Sequence, residues 1–286
     1  MQLTFLHRPQ SPIYILATAG LIGSLFQAFL YTAYLGPSGI VQSFLIADNV
    51  ESFYVKLLGC LFHVLWIYDL LMQVAIAANR TIIVVLPHMH KLLSRTFTIG
   101  MTFLALLLAI IVATAANYGP YCCSFYLNYV TFSYSFVSRA LVFNTANFFI
   151  DLPVNIICSI ACVVFYVIIY THIRGSTKKI HSSMGDRAAQ ARNSRELKIA
   201  FQFFICSGTY ISIWITFRIA SYYITREYQE LKVILTLLHI FHCTANSVVF
   251  LIFNKDIRRG FFNVFLKPQP VSTTSACSES SRSTNR

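Results

Sequence analysis

Charge is what this sequence has least of. Only 11% of its 286 residues are Asp, Glu, Lys or Arg, where a soluble domain carries roughly a quarter. That is too little polar surface to cover a water-exposed globule of this length, so the soluble classes are excluded. Acidic residues are scarcer still, 10 against 22 basic ones, for a formal charge of +12. Enzyme signatures are also missing: no phosphate-binding Gly-Lys-Ser/Thr loop, no His-Glu-x-x-His pair and no nucleophile elbow. No catalytic residue, cofactor or metal is expected. A transporter would show internal repeats or paired Gly/Pro-broken helices, and a channel a pore loop or a repeated charge ring; neither is visible. The N-terminal "MQLTFLHRPQSP" has neither the apolar core nor the cleavage site of a secretory signal.

What the chain does have is apolar length. Hydrophobic residues make up 56% of it and aromatics 15%, with a mean hydropathy of +0.63. A helix needs about twenty apolar residues to cross ~30 Å of hydrocarbon. Six segments qualify, near 13–35, 54–79, 97–118, 141–170, 199–224 and 231–253. Pro153 interrupts the fourth, which membrane helices tolerate because neighbours satisfy the freed carbonyl. The expected fold class is therefore all-α: a transmembrane bundle of six visible spans over residues 1–267, with a polar, Ser/Thr-rich, disordered tail at 268–286.

Basic residues orient the bundle. Arg8 precedes the first span, and Arg80, Lys91 and Arg95 follow the second. Seven more crowd the loop between Arg174 and Lys198, and Lys255, Arg258, Arg259 and Lys267 follow the sixth span. The alternate loops hold Lys56, Arg139, Arg226 and Lys232 at span edges. The crowded side is expected to be cytoplasmic, facing anionic lipid. Basic residues that flank spans, with no aromatic-basic module, exclude nucleic acid as a partner.

The span ends carry finer signals. Asn79-Arg80-Thr81, followed by Pro87, resembles the Asp-Arg-Tyr motif and downstream proline that end the third helix of rhodopsin-like G-protein-coupled receptors. By itself, an arginine there is ordinarily a topological anchor. Residues 246–262, "NSVVFLIFNKDIRRGFF", match without a gap that family's Asn-Pro-x-x-Tyr motif and its amphipathic eighth helix, with Ser247 and Phe250 in place of the proline and tyrosine. Phe253, Ile257, Phe261 and Phe262 would form the apolar stripe of that C-terminal amphipathic helix. Trp214 resembles the sixth-helix tryptophan, with Glu196 at the family's distance before it and Thr216 replacing the usual proline. "HRPQSPIYILATAG" resembles the opening of the family's second helix, with Gly20 in place of its aspartate. The first visible span thus resembles helix two, and helix one is expected to be missing. Ser24 and Gln27 on the first span, or Thr244 and Asn246 on the last, are then expected to face hydrocarbon with their polar groups unsatisfied. Asn-Arg-Thr, the "YCCSFY" loop and the "FNKDIR" ending are most similar to nematode serpentine chemoreceptors, class x foremost.

That resemblance implies a chemosensory receptor of the plasma membrane, that of sensory cilia included, that binds a small odorant- or pheromone-like ligand and activates a heterotrimeric G protein. The alternatives are a truncated, non-signalling relic and a small six-span transporter or channel. Phe62, Asp69 and Arg80 are seven and eleven residues apart, which returns nearly to one helical face, with Trp66 close to it. The implied pocket walls are Phe62, His63 and Trp66 with Trp214, Phe217 and Arg218; Asp151 lies at comparable depth to neutralise Arg218. The ligand is expected to be largely apolar, with a group that competes for Arg218. Asn79, Arg80 and Glu196 are the implied coupling lock, and Asp69, Asn246 and Phe250 the switch. Asp69 is read either as the relocated acid of the family's sodium site, near Asn246, or as a protonated, hydrogen-bonded acid. His239 and His242 read as bundle hydrogen-bonding groups. A bridge from Cys60 to Cys122 or Cys123 is chemically allowed on the outer side.

Overall fold

The computed structural model describes residues 12–86, 88–89, 94–119, 123–137, 143–182, 201, 204–219 and 232–253. Over these residues all six expected spans are helical. The first combines α1 (Pro12–Leu30), a π-helical turn (Tyr31–Leu35) and α2 (Gly36–Val41). Then come α3 (Phe53–Val85), α4 (Arg95–Tyr118), a second π turn (Asn147–Asp151) leading into α5 (Leu152–Ser182), α6 (Phe204–Ile219) and α7 (Val233–Phe253). Among the described residues four helices are long and apolar enough to cross a membrane, and two shorter apolar ones accompany them.

Both π turns end two residues before a proline, Pro37 and Pro153. Proline has no N–H to donate, and its ring crowds the carbonyl four residues back. Those carbonyls belong to Ala33 and Phe149, each inside a wide turn. There Gly36 N–H reaches Tyr31 O and Leu152 N–H reaches Asn147 O, one residue further than in an α-helix. The widening relieves the crowding without breaking the span. α3 obeys the related rule: its cap Leu86 leaves helical geometry (φ −122°, ψ 60°) immediately before Pro87, since a residue preceding proline disfavours the helical region.

α3 is the axis of the bundle. It packs against α1, α4 and α5, and 72% of its apolar window is buried, against 22% for α4. α4 meets it through small residues, Ala105, Ala109, Ala113 and Ala116, which permit close backbone approach. Its opposite face exposes Phe103, Leu104, Leu107, Leu108, Ile110 and Ile111, as lipid contact requires. Ser94 caps α4 by accepting from Phe97 N–H at 3.1 Å.

Three expectations need correction. Ser24 and Gln27 do not face hydrocarbon; both are buried, and Gln27 Oε1 lies 2.6 Å from His239 Nε2 on α7. Thr244 is on the outer surface, but its hydroxyl donates to the Ile240 and Phe241 carbonyls of its own helix, each at 2.9 Å. Lastly, the segment after α4 is more than a loop: β1 (Phe125–Asn128) pairs antiparallel with β2 (Ser133–Phe136), Phe125 opposite Phe136. The turn between them is set by Asn128 Oδ1, which accepts Val130 N–H at 3.0 Å, and by Phe132 at φ 47°. The proposed amphipathic helix after Phe253 and the tail from 268 lie outside the described residues.

Candidate functional site

At the end of the bundle away from Arg80, α3 contributes Phe62, His63 and Trp66, all buried. α6 contributes Trp214, Phe217 and Arg218, and α7 contributes His239. The hairpin, which no motif had suggested, fills the space between them. The Tyr134 ring lies 5.6 Å from Phe62, 5.8 Å from Trp66, 4.9 Å from Phe217 and 5.9 Å from His239. Phe125 stacks on Phe62 at 5.9 Å and on His63 at 5.0 Å. Burial raises the Tyr134 phenol well above its ordinary value; the Asp151 carboxylate adds to the rise and Arg218 opposes it.

Backbone contacts add to this ring packing in holding the hairpin in place. Gly59 lets β1 pass directly over α3, where a Cβ would come within 2.1 Å of the Phe125 carbonyl. Asn117 Oδ1 accepts Phe125 N–H at 2.7 Å. Thr236 on α7 donates to the Phe132 carbonyl at 2.6 Å. Asn117 Nδ2 also lies 3.1 Å from His63 Nδ1. An amide nitrogen only donates, so Nδ1 accepts and the His63 proton sits on Nε2, 3.5 Å from Asp151 Oδ1.

Beside the rings lies one ion pair. Asp151 Oδ2 accepts from Arg218 Nη2 at 2.5 Å, and Asn147 Oδ1 accepts from Arg218 Nη1. Asn155 Nδ2 donates to Asp151 Oδ1 at 3.0 Å. The Asn155 oxygen accepts in turn from Tyr210 at 2.9 Å and from Trp66 Nε1 at 3.3 Å. Asn147, Asp151 and Asn155 thus form a polar row on an otherwise apolar helix, four residues apart, and tie α5 to α3 and α6. The Arg218 guanidinium also lies over the rings of Trp214 and Phe217, at 5.7 and 6.0 Å.

Deeper in the bundle, Asp69 is buried as α3 periodicity required, but its neighbour is His242 Nε2, at 3.2 Å. Thr209 donates its proton to the Cys206 carbonyl, so it accepts from His242 Nδ1 at 2.9 Å. One imidazole on α7 thus meets both Asp69 of α3 and Thr209 of α6. A mid-membrane acid is thereby accommodated within the protein. His239 likewise bridges helices, between Gln27 and Tyr31. Nearby, Ser207 of α6 donates to Gln73 of α3 at 3.2 Å.

Phe62, Asp69 and Arg80 are all buried, and Asn79 with them, so one inward stripe runs the length of α3. Glu196, Pro87 and Cys122 lie outside the described residues, and Asn246 and Phe250 are described only as positions on α7. Cys60 is a buried free thiol, so the bridge considered from it does not form: it sits inside the bundle, beside the glycine that β1 crosses. Cys123 is disulfide-bonded, and its partner is none of the five free described cysteines. Reading spans and motifs missed Tyr134, Phe125, Asn117 and Asn155. The row 147, 151, 155 was visible as helical spacing, and the hairpin only as two short aromatic-rich runs, "FYLN" and "SYSF", too short to stand out.

Among solved structures, the crystal structure of squid rhodopsin matches 88% of this chain and 78% of its own, with a TM-score of 0.61 at 13% identity. That likeness establishes the rhodopsin fold. No curated protein matches the sequence. The family described as serpentine type 7TM GPCR chemoreceptor Srx matches residues 2–254, nearly the whole length. The chain therefore belongs to the Srx family of serpentine chemoreceptors and is a multi-pass membrane receptor of the G-protein-coupled class.

Proposed function

We propose that this receptor sits in the plasma membrane, in sensory cilia where its cell has them, and takes a small, largely apolar extracellular ligand among α3, α5, α6 and α7. Ligand binding is passed to a heterotrimeric G protein at the Arg80 end. The observation that carries this reading is the α3 stripe: one helix joins a nest of aromatic rings, through the buried Asp69–His242 pair, to a buried arginine. A ligand that shifts the rings relative to α6 and α7 acts on contacts that already tie those helices to α3, Trp66 with Tyr210 and His239, Gln73 with Ser207 and Asp69 with His242. Such a ligand changes the balance of two states only by its difference in affinity for them.

Arg80 and Glu196 are proposed to pair across the cytoplasmic gate and favour the closed state, with Asn79 unable to hold the arginine by charge. Losing about 1.4 kcal/mol of that bias shifts the open-to-closed ratio about tenfold. In cells that report G-protein activation at matched surface expression, Glu196→Gln raises basal output, and Arg80→Ala lowers the response to an activating ligand. Unchanged basal output in the first variant removes the lock. A wild-type chain that reaches the surface yet activates no G protein with any ligand favours the non-signalling relic.

A further inference from the structure

The ring nest has an occupant. Tyr134 is 3% exposed and is enclosed by Phe62, Trp66, Phe217 and His239, each within 6 Å centroid to centroid. It does not belong to the bundle: it arrives on a hairpin that crosses α3 at Gly59 and is tied to Asn117 and Thr236. Its fit is incomplete. Among the described residues, the buried Tyr134 hydroxyl has no hydrogen-bond partner, and neither have two buried donors on the neighbouring α6, Trp214 Nε1–H and Arg218 Nε–H. Buried polar groups are ordinarily paired, so these three, on the hairpin and the helix it packs against, mark a site whose polar complement the described residues do not supply.

We infer that Tyr134 is a resident stand-in for the ligand, and that the ligand is a small planar or ring-bearing molecule with a neutral acceptor oxygen, such as an aromatic ketone, aldehyde or ester. This rests on the small-ligand reading above and deepens it. The ring displaces Tyr134 from the nest, and the oxygen accepts from Trp214 Nε1–H and Arg218 Nε–H. Neutrality follows from charge balance. Arg218 is already matched by Asp151 through Nη2, so a carboxylate would bring a second negative charge next to Asp151, which low-dielectric surroundings disfavour. The ligand therefore adds to the Asp151–Arg218 pair and does not compete with it, contrary to what the sequence suggested.

Trp66 and Trp214 are the only two tryptophans in the chain, and both line this site, so the intrinsic fluorescence of the full-length receptor in lipid nanodiscs reports on it directly. Three probes separate the ideas: acetophenone carries a ring and a neutral carbonyl, ethylbenzene a ring alone, and benzoate a ring and a charge. Vacating the nest removes the competing occupant, so Tyr134→Ala should bind acetophenone about tenfold more tightly than wild type, and ahead of both other probes. Trp214→Phe added to Tyr134→Ala should bring acetophenone down to the level of ethylbenzene. Tyr134→Phe keeps the nest filled and should gain nothing. In wild-type receptor, which needs no substitution to be tolerated, saturating acetophenone should speed amide exchange in residues 125–136. Unchanged exchange in the wild type, equal acetophenone binding by wild type and a folded Tyr134→Ala, or a preference for benzoate would each overturn the inference. A receptor that still activates a G protein while showing those results keeps the receptor reading and loses this one; tight acetophenone binding without any G-protein activation does the reverse.

Discussion

Asp69 and His242 lie 3.2 Å apart, nearly sealed from solvent, and each is tolerable there because the other is. His242→Leu would leave the Asp69 carboxyl buried without this hydrogen bond, a cost of about 1–3 kcal/mol. Replacing both by leucine should recover most of that loss, since an apolar pair of similar volume is often neutral or stabilising. Unfolding of the single and double variants in one detergent checks the coupling; additive losses would mean that the two side chains act separately. Tyr134 makes a second test at this scale. Its phenol is held above its ordinary value, near 10 in an unfolded chain, so unfolding releases that proton first as pH rises. The residue leaves stability unaltered below about pH 10 and lowers it above, where the unfolded state binds fewer protons. Tyr134→Phe should show a smaller loss of unfolding temperature than wild type between about pH 9 and about pH 11.

Single elements owe their shapes to single residues. Pro37 and Pro153 each sit behind a π turn, and the second of these holds the two residues that grip Arg218. Gly59 works by having no side chain: a methyl group there would meet backbone, the Phe125 carbonyl at 2.1 Å and Tyr126 Cα at 2.8 Å, and backbone cannot turn aside as a flexible side chain does. Gly59→Ala should therefore lift β1 off α3 at a cost of about 1–3 kcal/mol, read as a lower unfolding temperature and as faster protease cleavage near the Asn128–Phe132 turn. Thr236→Val, which removes only the bond to the Phe132 carbonyl, should cost about 1 kcal/mol and open the hairpin less. An identical protease pattern for Gly59→Ala and wild type would refute the close-packing account.

At the scale of the whole molecule, the hairpin and Arg80 occupy opposite ends of α3, and the basic loops assign the Arg80 end to the cytoplasm. That orientation is testable with two exposed sites. Val130 at the hairpin turn and His88 beyond α3 are both open to solvent. In intact cells, a membrane-impermeant maleimide should label Val130→Cys and leave His88→Cys unlabelled until the membrane is permeabilised. Wild type serves as the background control for the native cysteines. The reverse pattern would invert the receptor and move the ligand site to the cytoplasmic side.

Sequence alone determined the solvent, the spans and the inward face of α3, because each rests on a local quantity. Hydrocarbon thickness sets the length of an apolar run, and helical period places Phe62, Asp69 and Arg80 on one side. Arg80 and the ending around Asn246 marked the receptor class for a similar reason, since spacing within one helix is legible without a fold. Tertiary structure alone decided who meets whom. Asp69 is answered by His242, 173 positions along the chain, and Gln27 turns inward because His239, 212 positions away, receives it. The ring nest is filled by a tyrosine on a hairpin whose two strands are four residues each. No period in the sequence announces such pairings. They arise where helices already fixed in the membrane leave buried polar groups and ring-sized spaces, and these must be matched by whatever the rest of the chain can bring to them.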